Sequence, residues 1–255
     1  MIFVPYNNRE KWNMLVQPFS PPKFNQHYEG SYSAEAVEWR RLCAIDKASN
    51  IRSLLGPEHV ESVLEIGCGT GAVLSEVRNR GIGSLHQGID LADPNKHVDP
   101  SARDLSLLEY DGETFPFTNN SFDLVYASHV VEHVLNPRGF LSEIRRVAKR
   151  LIYLEVPCEL HARTTHSDMQ TTLNIGHINS YSPESFTMLC QTSGLRIINS
   201  QLFDHSLGVH AFRASAMKAK LKMTIRTALL SANPIFASRI FTYHFGVLCA
   251  PELES

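Results

Sequence analysis

The feature that most constrains this chain is an apolar run that passes through a glycine-dense turn into a helical pattern, "VLEIGCGTGAVL" at residues 63–74. A plain tight turn needs one glycine, whereas here Gly67, Gly69 and Gly71 occupy alternate positions. Repeated loss of the Cβ lets a ligand lie against the backbone, and the N–H groups that open the next helix attract polar or anionic atoms. The flanking sequence alternates in the same manner. A helix is expected from Ala34 to Leu55, closed by Gly56-Pro57 and carrying Val37, Cys43, Ala44, Ala48, Ile51 and Leu55 at helical spacing. "HQGID", "LLEYDG", "FDLVYASHV" and "LIYLEVP" read as strands, with "AVLSEVRNRG" and "GFLSEIRRVAKR" as the helices among them. Strands alternating with helices specify an α/β fold with a parallel sheet and helices on both faces.

The last third is less regular. "SPESFTMLCQTSG" has Ser182 as N-cap, Pro183 in the first turn and Gly194 past its end, which specifies a helix. "LRIINSQLFD" and "RIFTYHFGVLCAP" read as strands, separated by a helical stretch whose Lys218, Lys220, Lys222 and Arg226 form a solvated face. Residues 1–33 contain Pro5, Pro18, Pro21 and Pro22 without a sustained period and read as an arm. Residues 34–255 are expected to form a single domain, with a loop insertion at about 158–181 and a helical insertion at about 212–239.

Composition excludes several classes. With 24 basic and 26 acidic residues and a net charge of −2, the chain lacks the field needed to hold a polyanion, so no nucleic-acid partner is expected. The five cysteines include no C-x-x-C pair, which fits a reducing compartment and a cytoplasmic location. No stretch approaches the roughly 18 apolar residues of a membrane span. Nothing in the pattern specifies an oligomeric state.

The glycines alone leave two cofactor classes open. A dinucleotide fingerprint is spaced G-x-G-x-x-G, and its third glycine would fall at Ala72, where alanine is tolerated. Glu65, two residues before the first glycine, would repel a pyrophosphate and suits a cationic ammonium instead. Together with Asp90 at the end of "GID" and the segment "YDGETFPFTNNSFDLVYASHVVEHV", the motif resembles the class I S-adenosylmethionine-dependent methyltransferases, in order and spacing over residues 63–157. "GHINSYSPESFTMLCQTSG" looks like the region after the fifth strand in the branch acting mostly on small molecules.

The resemblance implies a Rossmann-like, doubly wound, mostly parallel seven-stranded sheet with an antiparallel C-terminal strand. It implies S-adenosyl-L-methionine as cofactor, with Gly67, Gly69 and Gly71 under its amino acid and ribose, Glu65 near its ammonium, Asp90 on the ribose hydroxyls, and Asp111 with the Gly112 backbone at the adenine amine. The implied activity is methyl transfer to a hydroxyl or nitrogen of a polar small molecule, such as a sugar or secondary metabolite. The polar stretch "PCELHARTTHSDMQ", with His161, Arg163, His166 and Asp168, is the expected acceptor wall, and Tyr28 and Tyr32 of the arm are placed to close over the site. An NAD-binding oxidoreductase and a non-catalytic partner protein are the competing classes.

His133, His129 and His177 are the catalytic candidates, since they fall where strands end and ligands bind. "HVVEHV" resembles the E-x-x-E-H motif of metal-dependent methyltransferases, with His129 in place of a glutamate and His177 as the further histidine. If the chain turns helical there, His129 shares a face with Glu132 and His133. His129, Glu132, His133 and His177 would then be the ligands of a divalent metal, which is not the expected cofactor; the histidines are read first as base or pocket residues.

Overall fold

The computed structural model describes Phe19 and residues 34–252 other than 213, so the rest of the arm, including Tyr28 and Tyr32, lies outside the described residues. Seven strands form one sheet: β1 (Ser62–Ile66), β2 (Leu85–Asp90), β3 (Ser106–Glu109), β4 (Phe122–Ser128), β5 (Ala148–Pro157), β6 (Leu195–Phe203) and β7 (His244–Pro251). Their order is β3-β2-β1-β4-β5-β7-β6. β1 to β5 pair in parallel, and β7 runs antiparallel to both β5 and β6, as the sequence leads one to expect.

Alternate residues of the central strands feed two cores on opposite faces. Val63, Leu124, Tyr126, Tyr153 and Leu248 pack with Ile51, Leu54 and Leu55 of α1 (Ala34–Leu55) and with Leu74 and Val77 of α2 (Ala72–Asn79). Leu64, Val125, Ala127, Ile152 and Val247 pack with Phe140, Leu141 and Ile144 of α3 (Pro137–Val147) and with Phe186 and Cys190 of α5 (Pro183–Gln191). Each buried aliphatic or aromatic side chain contributes about 1.5–3 kcal/mol of transfer free energy, which is why the central strands read as nearly unbroken apolar runs. The chain builds outward from β1 to β3, then returns to lay β4 on the other side of β1. The direction of winding therefore reverses between β1 and β4, and their carboxyl ends flank the crevice where open α/β sheets bind ligands.

Several expectations need correction. The helix read as "GFLSEIRRVAKR" stops at Val147, and Ala148–Arg150 already belong to β5. Lys149 and Arg150 are exposed at the strand's start, so helical and extended patterns look alike there. Segment 158–181 is not all loop: α4 (His166–Asn174) lies in it, and because it buries none of its residues it left no apolar period, only the capping box of Thr165 and Asp168. The helical stretch begins earlier than expected and is broken into α6 (Leu207–Ala211), α7 (Ala216–Ala232) and α8 (Pro234–Ser238). The strand read as "RIFTYHFGVLCAP" starts only at His244. Arg226 is buried rather than solvated: its guanidinium pairs with Asp204 at 2.8 Å and stacks on Tyr243. Val37 is exposed. All five cysteines are free, and no described helix is long and apolar enough to cross a membrane.

Candidate active site

At the carboxyl end of β1 the three glycines adopt left-handed conformations, φ 73° at Gly67, 50° at Gly69 and 77° at Gly71. Two of them are also required by packing, since a Cβ at Gly67 would lie 2.5 Å from Val130 and one at Gly71 would lie 2.8 Å from Ala102. At Gly69 a Cβ would meet only open space, the face on which a ligand can approach the backbone. The end of β2 braces the loop: Gly67 N and Cys68 N donate to Ile89 O, and Gly69 N donates to Asp90 Oδ2 at 2.7 Å. Asp90 Oδ1 accepts from Ala92 N, so this carboxylate shapes the turn whatever else it binds.

Glu65 is 3% exposed and its Oε2 accepts no hydrogen bond. Burial pushes its carboxyl up to about 8 against the opposing pull of Lys47. Asp111 Oδ1 accepts from Glu113 N and Thr114 N, an Asx turn that continues into Gly112 at φ 86°.

Across the crevice, β4 ends at Ser128 and His129 follows with φ 61°, an uncommon conformation for a residue with a side chain. Only Val131–His133 form a turn, and it is 3-10, so the α-helical face expected for "HVVEHV" does not exist. The four residues of the expected metal set divide accordingly. Glu132, His133 and His177 bring ligand atoms within 4.8 Å of one another, whereas His129 groups with Glu155 and His244. His129 touches the first group through Nδ1, 3.4 Å from Glu132 Oε1.

In the first group the rings of His133 and His177 meet edge to face at 4.8 Å. His133 Nδ1 lies 3.0 Å from Gly176 O, and because a carbonyl only accepts, Nδ1 carries the proton and Nε2 the lone pair. His177 Nδ1 lies 2.9 Å from the Glu159 carboxylate, with the same consequence. Burial alone would lower His177, but the Glu159 hydrogen bond and the charges of Glu132 and Glu159 outweigh it and raise its pKa. Glu132 is 1% exposed, neither of its oxygens accepts a hydrogen bond, and burial pushes it up to about 7. Burial, and after it the charge of Lys47, holds His129 well below its ordinary value.

Motif reasoning passed over Lys47, Glu155, Glu159 and His244. Lys47 Nζ donates to Ser128 O at 3.1 Å, reaching the strand end from α1. Glu155 carried a signal: like Glu65, it is a carboxylate inside an otherwise apolar buried strand, "YLEVP". Of the expected acceptor wall, Asp168 caps α4, Arg163 lies over Phe241 at 5.5 Å, His161 Nε2 is 3.2 Å from Thr242 Oγ1, and His166 stacks on Phe19 at 4.5 Å. These contacts are structural, and they place one arm residue directly against this segment.

The family model described as a methyltransferase domain matches residues 34–200. A demethylmenaquinone methyltransferase of Renibacterium salmoninarum is 24% identical over 180 residues, spanning 67% of this chain and 71% of its own length. Among solved structures, the complex of the Haloferax volcanii Trm112 methyltransferase activator with a methyltransferase contains a chain that superposes with a TM-score of 0.60 at 16% identity, covering 87% of this chain and 94% of that one. A geranyl diphosphate methyltransferase in complex with GPP and sinefungin superposes with a TM-score of 0.58 at 14% identity, covering 80% of this chain and 77% of that one. At such identities the superpositions speak to the fold.

Proposed function

The chain belongs to the class I methyltransferase family, whose domain model spans residues 34–200, and from that premise we propose that it transfers the methyl group of S-adenosyl-L-methionine to a hydroxyl or nitrogen of a polar small molecule. One observation carries the cofactor assignment: a buried Glu65 carboxyl with an unpartnered oxygen stands beside a glycine loop whose Gly69 faces open space. An ammonium would supply the missing donor and charge, whereas a pyrophosphate would place like charge against it. Asp90 has acceptor capacity beyond its two backbone contacts for the vicinal ribose hydroxyls. Asp111 and the Gly112 backbone are assigned to the adenine amine, although Asp111 Oδ1 is engaged in its turn. The sinefungin complex of the geranyl diphosphate enzyme supports a sulfonium-type cofactor on this fold.

The acceptor would lie before His133 and His177. Both present a lone pair at Nε2, and the Glu159 partner makes His177 the stronger base. One of them takes the acceptor's proton as the new bond to carbon forms, while sulfur leaves as the neutral thioether of S-adenosylhomocysteine. His129 acts through Glu132, which it contacts at Oε1. The crevice walls align the in-line displacement and exclude water.

A second reading is favoured by the unpartnered oxygens of Glu132: with His133 and His177 it would hold a divalent cation, which when bound would acidify an acceptor hydroxyl. Release of S-adenosylhomocysteine from sugar nucleotides, phenols and heteroaromatic amines, measured before and after exhaustive chelation, tests both. Turnover confined to hydrophobic acceptors contradicts the polar-acceptor assignment, and turnover that survives chelation removes the metal.

A further inference from the structure

Behind the acceptor crevice the second histidine group extends into a chain of contacts of which the methyl-transfer reading uses only the His129–Glu132 end. His129 Nε2 lies 2.9 Å from His244 Nδ1, and His244 Nε2 lies 2.9 Å from His205 Nε2. His205 Nδ1 in turn lies 3.5 Å from Asp46 Oδ2, and at the opposite end His129 Nδ1 lies 3.4 Å from Glu132 Oε1. The two inner contacts are of hydrogen-bond length and the two outer ones are wider ion-pair separations, so three neutral imidazoles with one N–H each can fill the inner pair. The facing nitrogens of His129 and His244 could equally share a cation.

Glu155 favours the cation, since its Oε1 is 3.3 Å from His129 Nε2, beside the His129–His244 contact. Ligand atoms of His129, His244 and Glu155 all lie within 4.8 Å of one another, so a metal ion between the two nitrogens would take Glu155 as third ligand. Tetrahedral zinc with bonds of about 2.0–2.1 Å places its ligand atoms about 3.3 Å apart, close to the 2.9 and 3.3 Å found. We propose that His129 Nε2, His244 Nδ1 and Glu155 Oε1 form a zinc site, distinct from the Glu132, His133 and His177 group, with a fourth position open to water.

With zinc there, the remaining N–H of each ring faces an acceptor. His129 donates its Nδ1–H toward Glu132, His244 donates its Nε2–H to His205, and His205 donates its Nδ1–H toward Asp46. Ligating histidines are oriented in this way by acceptors behind them. Glu155 is held likewise: Oε2 accepts from Tyr153 Oη and from Asn50 Nδ2 at 2.9 Å, and Ser128 Oγ donates to Oε1 at 3.1 Å. The left-handed backbone at His129 has a consequence in this arrangement, because it turns the ring back over the strand ends, where β5 and β7 present Glu155 and His244. Two imidazoles and one carboxylate suit zinc and not magnesium or calcium, which prefer all-oxygen sets. Lys47 is the one neighbouring cation named above, and the charges of Glu155 and Glu132 offset it.

The test is zinc binding by the full chain after dialysis against chelator, read by metal content, by calorimetry and, with cobalt(II) as stand-in, by visible absorption of the tetrahedral ion. One equivalent is expected. Glu155→Gln and His244→Gln should each weaken it by about 100-fold or more, and Asp46→Asn, which loosens only the outer support, by about tenfold. The double variant His133→Gln, His177→Gln should keep the full equivalent. Metal-free melting curves establish that each variant folds, and the wild-type stoichiometry stands whichever variant fails. Absence of a tightly bound equivalent in the wild-type chain overturns the site, as does loss of zinc in the His133, His177 double variant with retention in His244→Gln.

Discussion

The two walls of the crevice are built in opposite ways. The wall proposed for the cofactor, from Glu65 through the glycine loop to Asp90, uses 26 consecutive residues, and its bracing contacts from Gly67, Cys68 and Gly69 run directly to the neighbouring strand. The histidine wall gathers Lys47, His129, Glu132, His133, Glu155, His177 and His244 from α1, from the ends of β4, β5 and β7 and from the loop after α4. Backbone geometry dominates the first wall, because glycine conformation and strand pairing fix it. Side-chain packing across the sheet dominates the second.

If this division is right, substitutions on the two walls separate binding from turnover. The largest effect is expected at the histidine wall: His133→Ala or His177→Ala should lower kcat by about 10²–10⁴-fold, the range of general-base catalysis, with S-adenosylhomocysteine affinity changed by less than about twofold. Stopped turnover together with weakened cofactor binding would mean that the walls are not separate. On the cofactor wall, Asp90→Ala should weaken S-adenosylmethionine binding by about 1.5–3 kcal/mol, through lost ribose hydrogen bonds and a loosened Gly69. Unchanged affinity in calorimetry would remove Asp90 from the site.

Smaller effects sharpen the same contrast. Gly71→Ala imposes a left-handed alanine, costing about 1–2 kcal/mol of stability before its contact with Ala102 is relieved, and a thermal melt reads it directly. The gentlest probe is pH. Glu65 faces Lys47 from α1, Asp90 at the end of β2, Tyr126 on β4 and Cys68 in the loop, and its pKa is raised from 4.5 to about 8. Between those values the folded chain holds a proton that the unfolded chain has lost. This contribution is full below about pH 4.5 and is lost as pH rises through about 8. Free protein should therefore melt lower at pH 8.5 than at pH 6, and Glu65→Gln should flatten that slope.

The same division accounts for what could be read from the sequence. The alternating strands and helices and the glycine loop follow from short apolar runs and glycine spacing, all local signals, whereas the winding reversal between β1 and β4 was implied only by the family resemblance. The capping of α5 by Ser182 was equally legible, whereas α4 was not, because a helix with no buried face has no apolar period. For "HVVEHV" the spacing presumes an α-helix, whereas the left-handed turn at His129 sends its ring to partners 26 and 115 positions away. The burial of Arg226 went unseen for a similar reason, since its partner Asp204 lies on a separate segment.

The measurement that bears most directly on the central claim is a pair of calorimetric titrations of the purified chain, one with S-adenosylhomocysteine and one with NAD. The account predicts saturable one-to-one binding of S-adenosylhomocysteine that is weakened in Glu65→Gln and Asp90→Ala, with no heat from NAD. Binding of NAD alone would contradict it and return the glycine loop to the dinucleotide class, and binding of neither would make the chain a partner protein on a methyltransferase scaffold.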